Sequence, residues 1–430
     1  MSRIRFPARW EDIRMQATHV GRQVDALLDA FGGVLPLGPA WVHREFCQAG
    51  MDLRLHPHQY MPFGPRKEVD ERWFASTIGA KNTFRVPNEG LSWMFSTSGR
   101  SRFTLAAAVE ERGNVLVGGT MYGKYRHWPV YSKYFNNRQP LPHHMHGDDA
   151  QAALVGLPGK PESYYWPPEY NMHRSADDGT MIGLRPGTTR EQLRNCLLHW
   201  GTRGHDIRFL TMKYAMKVGR GWRMPARRLH APAALCTYEP QWRSDVFNMF
   251  QGKTEDGWLD RSVLLFKDVP QQVSRDQNVD HMVEMIDWPG NLADQSGNQI
   301  LPIFDESRSG IGVTDMWVVY GTFQKGGEEK ELFSAKRLDI DPGAETTLRD
   351  PGASGMQVLA GSGVIGKYEV QAPYMLRDIY DVPRDECFIP YVTATSGLKI
   401  RNTGLVPLTL LRYFGPDVWG NDMPRLQNAV

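Results

Sequence analysis

The sequence predicts a mainly β protein made of two barrel or sandwich units, entered through one helix and interrupted by a second. Three observations point there. The 42 glycines and 29 prolines make about 17% of the 430 residues, against about 12% in average usage, a surplus that suits many turns. From Trp41 to about Asn136, short segments rich in Phe, Trp, Val and Thr are separated by Gly, Pro, Asn and Ser, the pattern of strands joined by turns. From Leu332 onward the same kind of segment recurs at barrel-like intervals. A chain of this length with 41% hydrophobic residues exceeds one average domain, so two main units are expected.

Taken in order, residues 1–40 form a helical lead-in. Ile13, Val20, Val24, Leu27, Leu28 and Phe31 recur at helical spacing before Gly32-Gly33, which predicts a helix from Trp10 to Phe31 with a glycine stop. Residues 41–252 are the first β unit, with strands expected at Thr83–Val86 and Asn114–Val117. Inside it, Thr189 and Gln192 have capping-box spacing ahead of Leu193, Leu197 and Leu198, predicting a helix over Arg190–His199. Strands resume over Ile207–Val218. Residues 253–330 are mixed and charged, a connecting segment. Residues 331–420 are the second unit, with strands at Lys336–Ile340, Met356–Leu359, Val364–Val370, Phe388–Tyr391 and Leu408–Arg412.

Composition removes several function classes. Lysine plus arginine number 50 against 48 acidic residues, with no long run of one sign, which argues against nucleic acid as a partner. No apolar run reaches the roughly 18 residues of a membrane span, and the arginine-bearing N-terminus lacks the apolar stretch of a secretory signal. Cys47, Cys196, Cys236 and Cys387 lie far apart, reading as free thiols and a cytoplasmic location.

The chemistry concentrates in Pro140–Asp149, Gly159–Glu162 and Gly219–His230. His144 and His146 are two apart, so on a strand both imidazoles reach one face and can offer two nitrogens to one metal. Alone, such a pair is weak evidence. Glu162 adds a carboxylate at the start of the aromatic strand Tyr164-Tyr165-Trp166, behind the turn Gly159-Lys160-Pro161. Gly219-x5-Pro225-x4-His230 adds a third histidine after two turns. Three histidines and a carboxylate make a mixed nitrogen and oxygen set that suits zinc, manganese, iron or nickel.

These residues resemble the cupin superfamily and, within it, the type I mannose-6-phosphate isomerases. The Gly-x5-Pro-x4-His string is similar to the second cupin motif, with Arg227 and Ala234 where that motif usually has glycine and asparagine. Three segments match the isomerases in order and approximate spacing: Leu141-Pro142-His143-His144-Met145-His146-Gly147-Asp148-Asp149, Gly159-Lys160-Pro161-Glu162, and Gly183 to Leu193 opening a helix. The resemblance runs from about Tyr131 to Asp245. It implies cupin barrels in a bicupin arrangement, and His144 (where the family has glutamine), His146, Glu162 and His230 as metal ligands. It further implies a divalent metal, zinc first with manganese, iron, nickel or cobalt as alternatives. The reaction implied is aldose–ketose isomerisation of a sugar or sugar phosphate through an enediol, with Lys160 or Glu239 as the base. Tyr164, Trp166 and Arg243 are expected at the substrate, a small carbohydrate, and a homodimer is left open.

One departure carries information. Where the family places an arginine that handles the sugar phosphate, Ser244-Asp245 runs into Val246-Phe247-Asn248-Met249-Phe250. A phosphate dianion is usually met by arginine or lysine; Arg243, Lys253, Arg227 or Arg228 could substitute. His143 faces away from its neighbour and reads as support or surface. His56 and His58, with a proline between them, read as loop. Asp148 and Asp149 read equally as supports of a ligand histidine or as a turn cap. No histidine follows His281, so the second unit is expected to lack a histidine metal site and to serve packing, enclosure or dimerisation. Two other functions fit the same residues: a cupin oxygenase or lyase, and a carbohydrate-binding cupin without turnover.

Overall fold

Along a strand, side chains alternate between two faces, and in this chain the central strands are covered on both. The computed structural model describes residues 15–16, 19–60, 68–172, 179–373 and 382–426. A seven-stranded sheet has the order Gln299–Ile300, Gly221–Met224, Glu162–Tyr165, Thr237–Trp242, Val130–Phe135, Val69–Phe74, Ala40–His43. It faces a five-stranded sheet ordered Thr211–Ala215, Gly179–Leu184, His230–Ala231, His144–Met145, Asn248–Met249. Strands Val69–Phe74, Val130–Phe135 and Thr237–Trp242 are buried at every residue. Lys133, Tyr164 and Glu239 point toward the five-stranded sheet and line a cavity there. Their neighbours Tyr134, Tyr165, Tyr238 and Trp242 point the other way, into a large apolar core.

That core is shared with the second unit. A second seven-stranded sheet runs Ile303–Phe304, Val313–Val319, Ser334–Ile340, Leu408–Phe414, Ser354–Ala360, Glu386–Ile389, Leu35–Pro36, and is partnered by a four-stranded sheet of Glu345–Leu348, Leu398–Asn402, Ser362–Ile365 and Tyr368–Gln371. Trp317, Val318, Phe388 and Tyr413 pack in the same core as Tyr134 and Tyr238. Polar bonds cross it: the Tyr413 hydroxyl donates to the Phe74 carbonyl at 2.9 Å, and Arg72 forks onto Asp385 with two bonds of 2.8 Å. Each large apolar side chain buried there contributes roughly 1.5–3 kcal/mol relative to exposure.

The N-terminal helix is Val20–Ala30; it buries Val24 and Leu27 and stops at Gly32 and Gly33, both with positive φ (65° and 86°). The expected start at Trp10 is not met. Met15–Gln16 is a strand paired in parallel with Ser101–Arg102, and the remainder of 10–18 lies outside the described residues. Leu35–Pro36 then pairs with Cys387 and Phe388, which stitches this segment into the second unit's sheet.

Two expected strands are corrected. Thr83–Val86 is irregular, and Asn114–Val117 ends the helix Leu105–Leu116. The Thr104 side chain caps that helix by accepting from the Ala107 N–H at 3.1 Å, and three consecutive alanines at 106–108 outweigh the strand preference of Val115 and Val117. Of Ile207–Val218, only Thr211–Ala215 is a strand, after the 3₁₀ turn Ile207–Leu210. The helix expected at Arg190 is present as Arg190–Leu198, with the Thr189–Gln192 box bonded both ways.

Residues 253–330 fold largely as short helices, including Gln271–Asp276, Val279–Met285 and Trp288–Leu292. Met282 and Trp288 pack with Leu193 and Leu197 over Met145, Leu184 and Leu229 on the outer side of the five-stranded sheet. The same stretch supplies Gln299–Ile300 to the first large sheet and Val313–Val319 to the second. In the second unit the expected strands are present, except that Val364–Val370 is the hairpin Ser362–Ile365 and Tyr368–Gln371, and Tyr391 opens the helix Tyr391–Ser396.

Candidate metal centre

His144 and His230 are cross-strand partners in the five-stranded sheet, and Glu162 begins the facing strand. Pairing and alternation therefore aim these three side chains into one interior, and His146, two residues past His144, follows. The four offer ligand atoms that all lie within 4.8 Å of one another, and all four residues are buried. Each imidazole spends Nδ1 on a backbone carbonyl: His144 on Pro142 (2.8 Å), His146 on Val246 (2.7 Å) and His230 on Arg228 (2.8 Å). That bond fixes ring orientation and tautomer and leaves Nε2 for the centre. His230 Nε2 lies 3.2 Å from Glu162 Oε1 without hydrogen-bond alignment and is buried with no other partner. An orphaned nitrogen in a mixed nitrogen and carboxylate set fits a divalent transition metal.

Protonation states agree with that use. Burial, together with the neighbouring His230 and His146, holds His144 well below the usual imidazole range, and burial lowers His146 to about 4 despite Glu162 beside it. Burial pushes the Glu162 carboxyl up, but His146 and Lys160 outweigh it and hold the group well below the usual carboxylate range. His144 and His146 are thus neutral rings, and Glu162 an ionised carboxylate, near pH 7.

Around it runs a buried chain of alternating basic and carboxylic side chains. Asp245 takes two bonds from Arg44 (2.8 and 3.1 Å); Arg44 Nε also meets Glu71 (3.0 Å), which meets Lys133 (3.0 Å). Lys133 reaches Glu239 (3.4 Å), Glu239 reaches Lys160 (3.3 Å), and Lys160 donates to Glu162 (2.7 Å). Burial and the adjacent Glu162 charge raise Glu239 to about 8, against the pull of Lys133 and Lys160. Glu239 therefore stays largely protonated at neutral pH, next to a lysine.

Apart from Glu162, these groups line a cavity of about 30 Å³, together with Phe46, Leu141, Phe247 and Met249. That is room for a few waters at most. Phe46 and Phe247, both lining it, meet edge to face, with centroids 5.6 Å apart. A larger cavity of about 450 Å³ shares Phe46 and Leu141 but is lined by His143 and Ala231, the outward neighbours of His144 and His230, and so lies on the other face of that strand pair.

Lys160, Glu239 and Tyr164 all line the small cavity, with the Tyr164 hydroxyl donating to Glu162. Two residues expected at the substrate lie elsewhere. Trp166 is in the apolar interior, bonded to Thr237 Oγ1, and Arg243 donates to Thr77 Oγ1 (3.1 Å) and the Thr77 carbonyl (2.8 Å). His143 is buried between Gln251 and Thr211, His56 and His58 are exposed, and Asp148 caps the helix Asp149–Ala153. Arg44, Glu71 and Lys133 were not anticipated. A lone lysine within the aromatic segment Val130–Phe135, buried at every residue, is the signal in the sequence that could have found them.

No protein-family model matches the chain, and no curated protein matches it in sequence. Solved structures do match. The mannose 6-phosphate isomerase from Bacillus subtilis superposes with a TM-score of 0.57 at 19% identity, over 89% of this chain and 99% of that one. A variant of the phosphomannose isomerase from Salmonella typhimurium superposes with a TM-score of 0.55 at 12% identity, over 89% and 99%. The chain has the cupin-type fold of these proteins. Among the described residues no helix is long and apolar enough to cross a membrane.

Proposed function

We propose that the protein is a metal-dependent aldose–ketose isomerase of a sugar or sugar derivative, with His144, His146, Glu162 and His230 as the metal ligands. The observation that carries this is the convergence of three Nε2 atoms and one carboxylate beside the pair Lys160 and Glu239, 3.3 Å apart. A divalent ion there, zinc first in our reading, supplies Lewis-acid stabilisation of negative charge on neighbouring sugar oxygens. Three neutral rings and one carboxylate would leave such an ion with a net charge of about +1, suited to stabilising negative charge that develops on the substrate. Glu239 and Lys160 hold the proton that moves between C1 and C2. Tyr164 steadies Glu162, and Phe46 and Phe247 exclude water once the sugar is inside.

The charge pairing bears on the substrate. Arg44, Lys133 and Lys160, the cations lining the cavity, are each engaged by buried carboxylates. Drawing one of them onto a phosphate dianion weakens the pairing of a buried carboxylate, which counts against a phosphate in this cavity. The pocket favours an unphosphorylated sugar.

Elemental analysis of the purified protein, joined to a screen of free and phosphorylated aldoses for solvent-deuterium exchange at C2, tests this. Stoichiometric divalent metal and exchange with free aldoses are expected. Iron with oxygen consumption and no C2 exchange would sink the isomerase reading in favour of an oxygenase.

A further inference from the structure

A third cavity, of about 320 Å³, lies where the loop Pro225–Arg228 meets the helix Trp288–Leu292 and the hairpin Phe323–Lys325 and Glu328–Lys330. It shares no lining residue with the candidate metal centre. Three guanidinium groups, Arg223, Arg227 and Arg228, line it with the carboxylates of Asp148, Asp287 and Glu329, and their hydrogen-bond pairing is incomplete. Arg228 is 8% exposed, yet its Nε and Nη1 are buried with no hydrogen-bond partner. Its nearest carboxylate, Asp287, is 3.7 Å from Nη2 and partly exposed. Arg223 donates only to neutral acceptors, Asn298 Oδ1 and the Thr322 carbonyl. Arg227 is 3.4 Å from Asp148 and otherwise donates to the carbonyls of Met285, Glu284 and Ile286.

A buried guanidinium with two unsatisfied nitrogens is costly, because each lost water is replaced by nothing. The loop adds a second cost: Arg227 has φ 63°, in the left-handed region that glycine adopts freely and an arginine does not. Both costs are offset if the cavity takes an acceptor-rich anion. Tetrahedral oxyanions match several guanidinium forks at once, which a single carboxylate does not.

We propose that this cavity is a binding site for a phosphate group, free or carried on a small metabolite. The site sits directly behind the candidate metal ligands. The Arg227 N–H donates to the His146 carbonyl at 2.7 Å, and the Arg228 carbonyl accepts from His230 Nδ1 at 2.8 Å. An anion held by these two arginines therefore steadies the loop that orients two of the four ligands, and phosphate and metal strengthen each other's binding by the same factor.

The test is titration calorimetry of the purified protein with inorganic phosphate and, in parallel, a hexose monophosphate, at constant ionic strength set with chloride. Saturable binding is expected, weakened at least tenfold in Arg228→Gln and in Arg227→Gly, and the tighter of the two ligands names the source of the phosphate. Arg227→Gly keeps the loop's backbone conformation without strain, so it reads the site even if Arg228→Gln folds poorly. The proposal is overturned if neither ligand saturates, or if binding survives in Arg227→Gly unchanged. It is equally overturned if binding is lost in Glu162→Gln but kept in both arginine variants, since the phosphate would then sit at the metal.

Discussion

Glu162 and Glu239 are both buried carboxylates within reach of Lys160, yet their surroundings drive them apart. Glu162 is held ionised by His146 and Lys160, and Glu239 is kept protonated up to about 8 by burial and by Glu162 itself. The two should fail differently when changed. Glu162→Gln is expected to lose both bound metal and turnover. Glu239→Gln should retain metal while kcat falls by about 10²-fold or more, the usual worth of a proton-transfer group. Metal content and kcat measured on both variants check this; loss of metal from Glu239→Gln would contradict the split. The four clustered residues were legible in the sequence because strand alternation and turn spacing are local rules and because the segments that carry them resemble a known family. Arg44 was not, because its partner Asp245 lies 201 positions away, and nothing near Arg44 distinguishes it from a surface arginine.

Among elements, strand Glu386–Ile389 is tied to strand Val69–Phe74 through Arg72, which donates to Asp385 and to Glu386 (3.1 Å). Burial raises Glu386 to about 7 even though Arg72 opposes it. In this window the folded state holds a proton that the unfolded chain, with an ordinary pKa near 4.3, has released. Stability therefore falls as pH rises from about 4.5 through 7 and levels off above, by roughly 3 kcal/mol for this group taken alone. Glu386→Gln should remove that part of the slope and melt higher than the parent at pH 8. Thermal melts at pH 5 and pH 8 decide it, and equal shifts at both would count against the assignment. Elements differ in how readily they are read. The helix Arg190–Leu198 carries its own start signal in Thr189 and Gln192. The tail of Leu105–Leu116 does not, since Val115 and Val117 viewed alone suggest a strand and only the alanines upstream correct it.

At the scale of the molecule, the histidine-free unit is no mere appendage. Where the first unit's interior gathers imidazoles, the second holds a buried ionic cluster: Arg412 meets Asp315 (2.6 Å) and Asp350 (2.7 Å), and Lys336 meets Asp305 and Asp315. Such pairs break at about 3–5 kcal/mol when one partner is removed. The outward faces of both large sheets meet in one core, so a chain ending at residue 330 would expose Tyr134, Tyr165 and Tyr238 to water. It is expected to be insoluble, and the full chain to unfold in a single calorimetric transition with calorimetric and van't Hoff enthalpies equal; two separated transitions would contradict this. The strand patterns announced two units. They could not announce a common core, because the apolar face of a strand does not name the sheet it will meet. The Tyr413 hydroxyl on the Phe74 carbonyl turns that core into a kinetic statement: the amides of Leu408–Phe414 and Val69–Phe74 should exchange with deuterium at one common slow rate, because neither strand gains access to solvent until the other does.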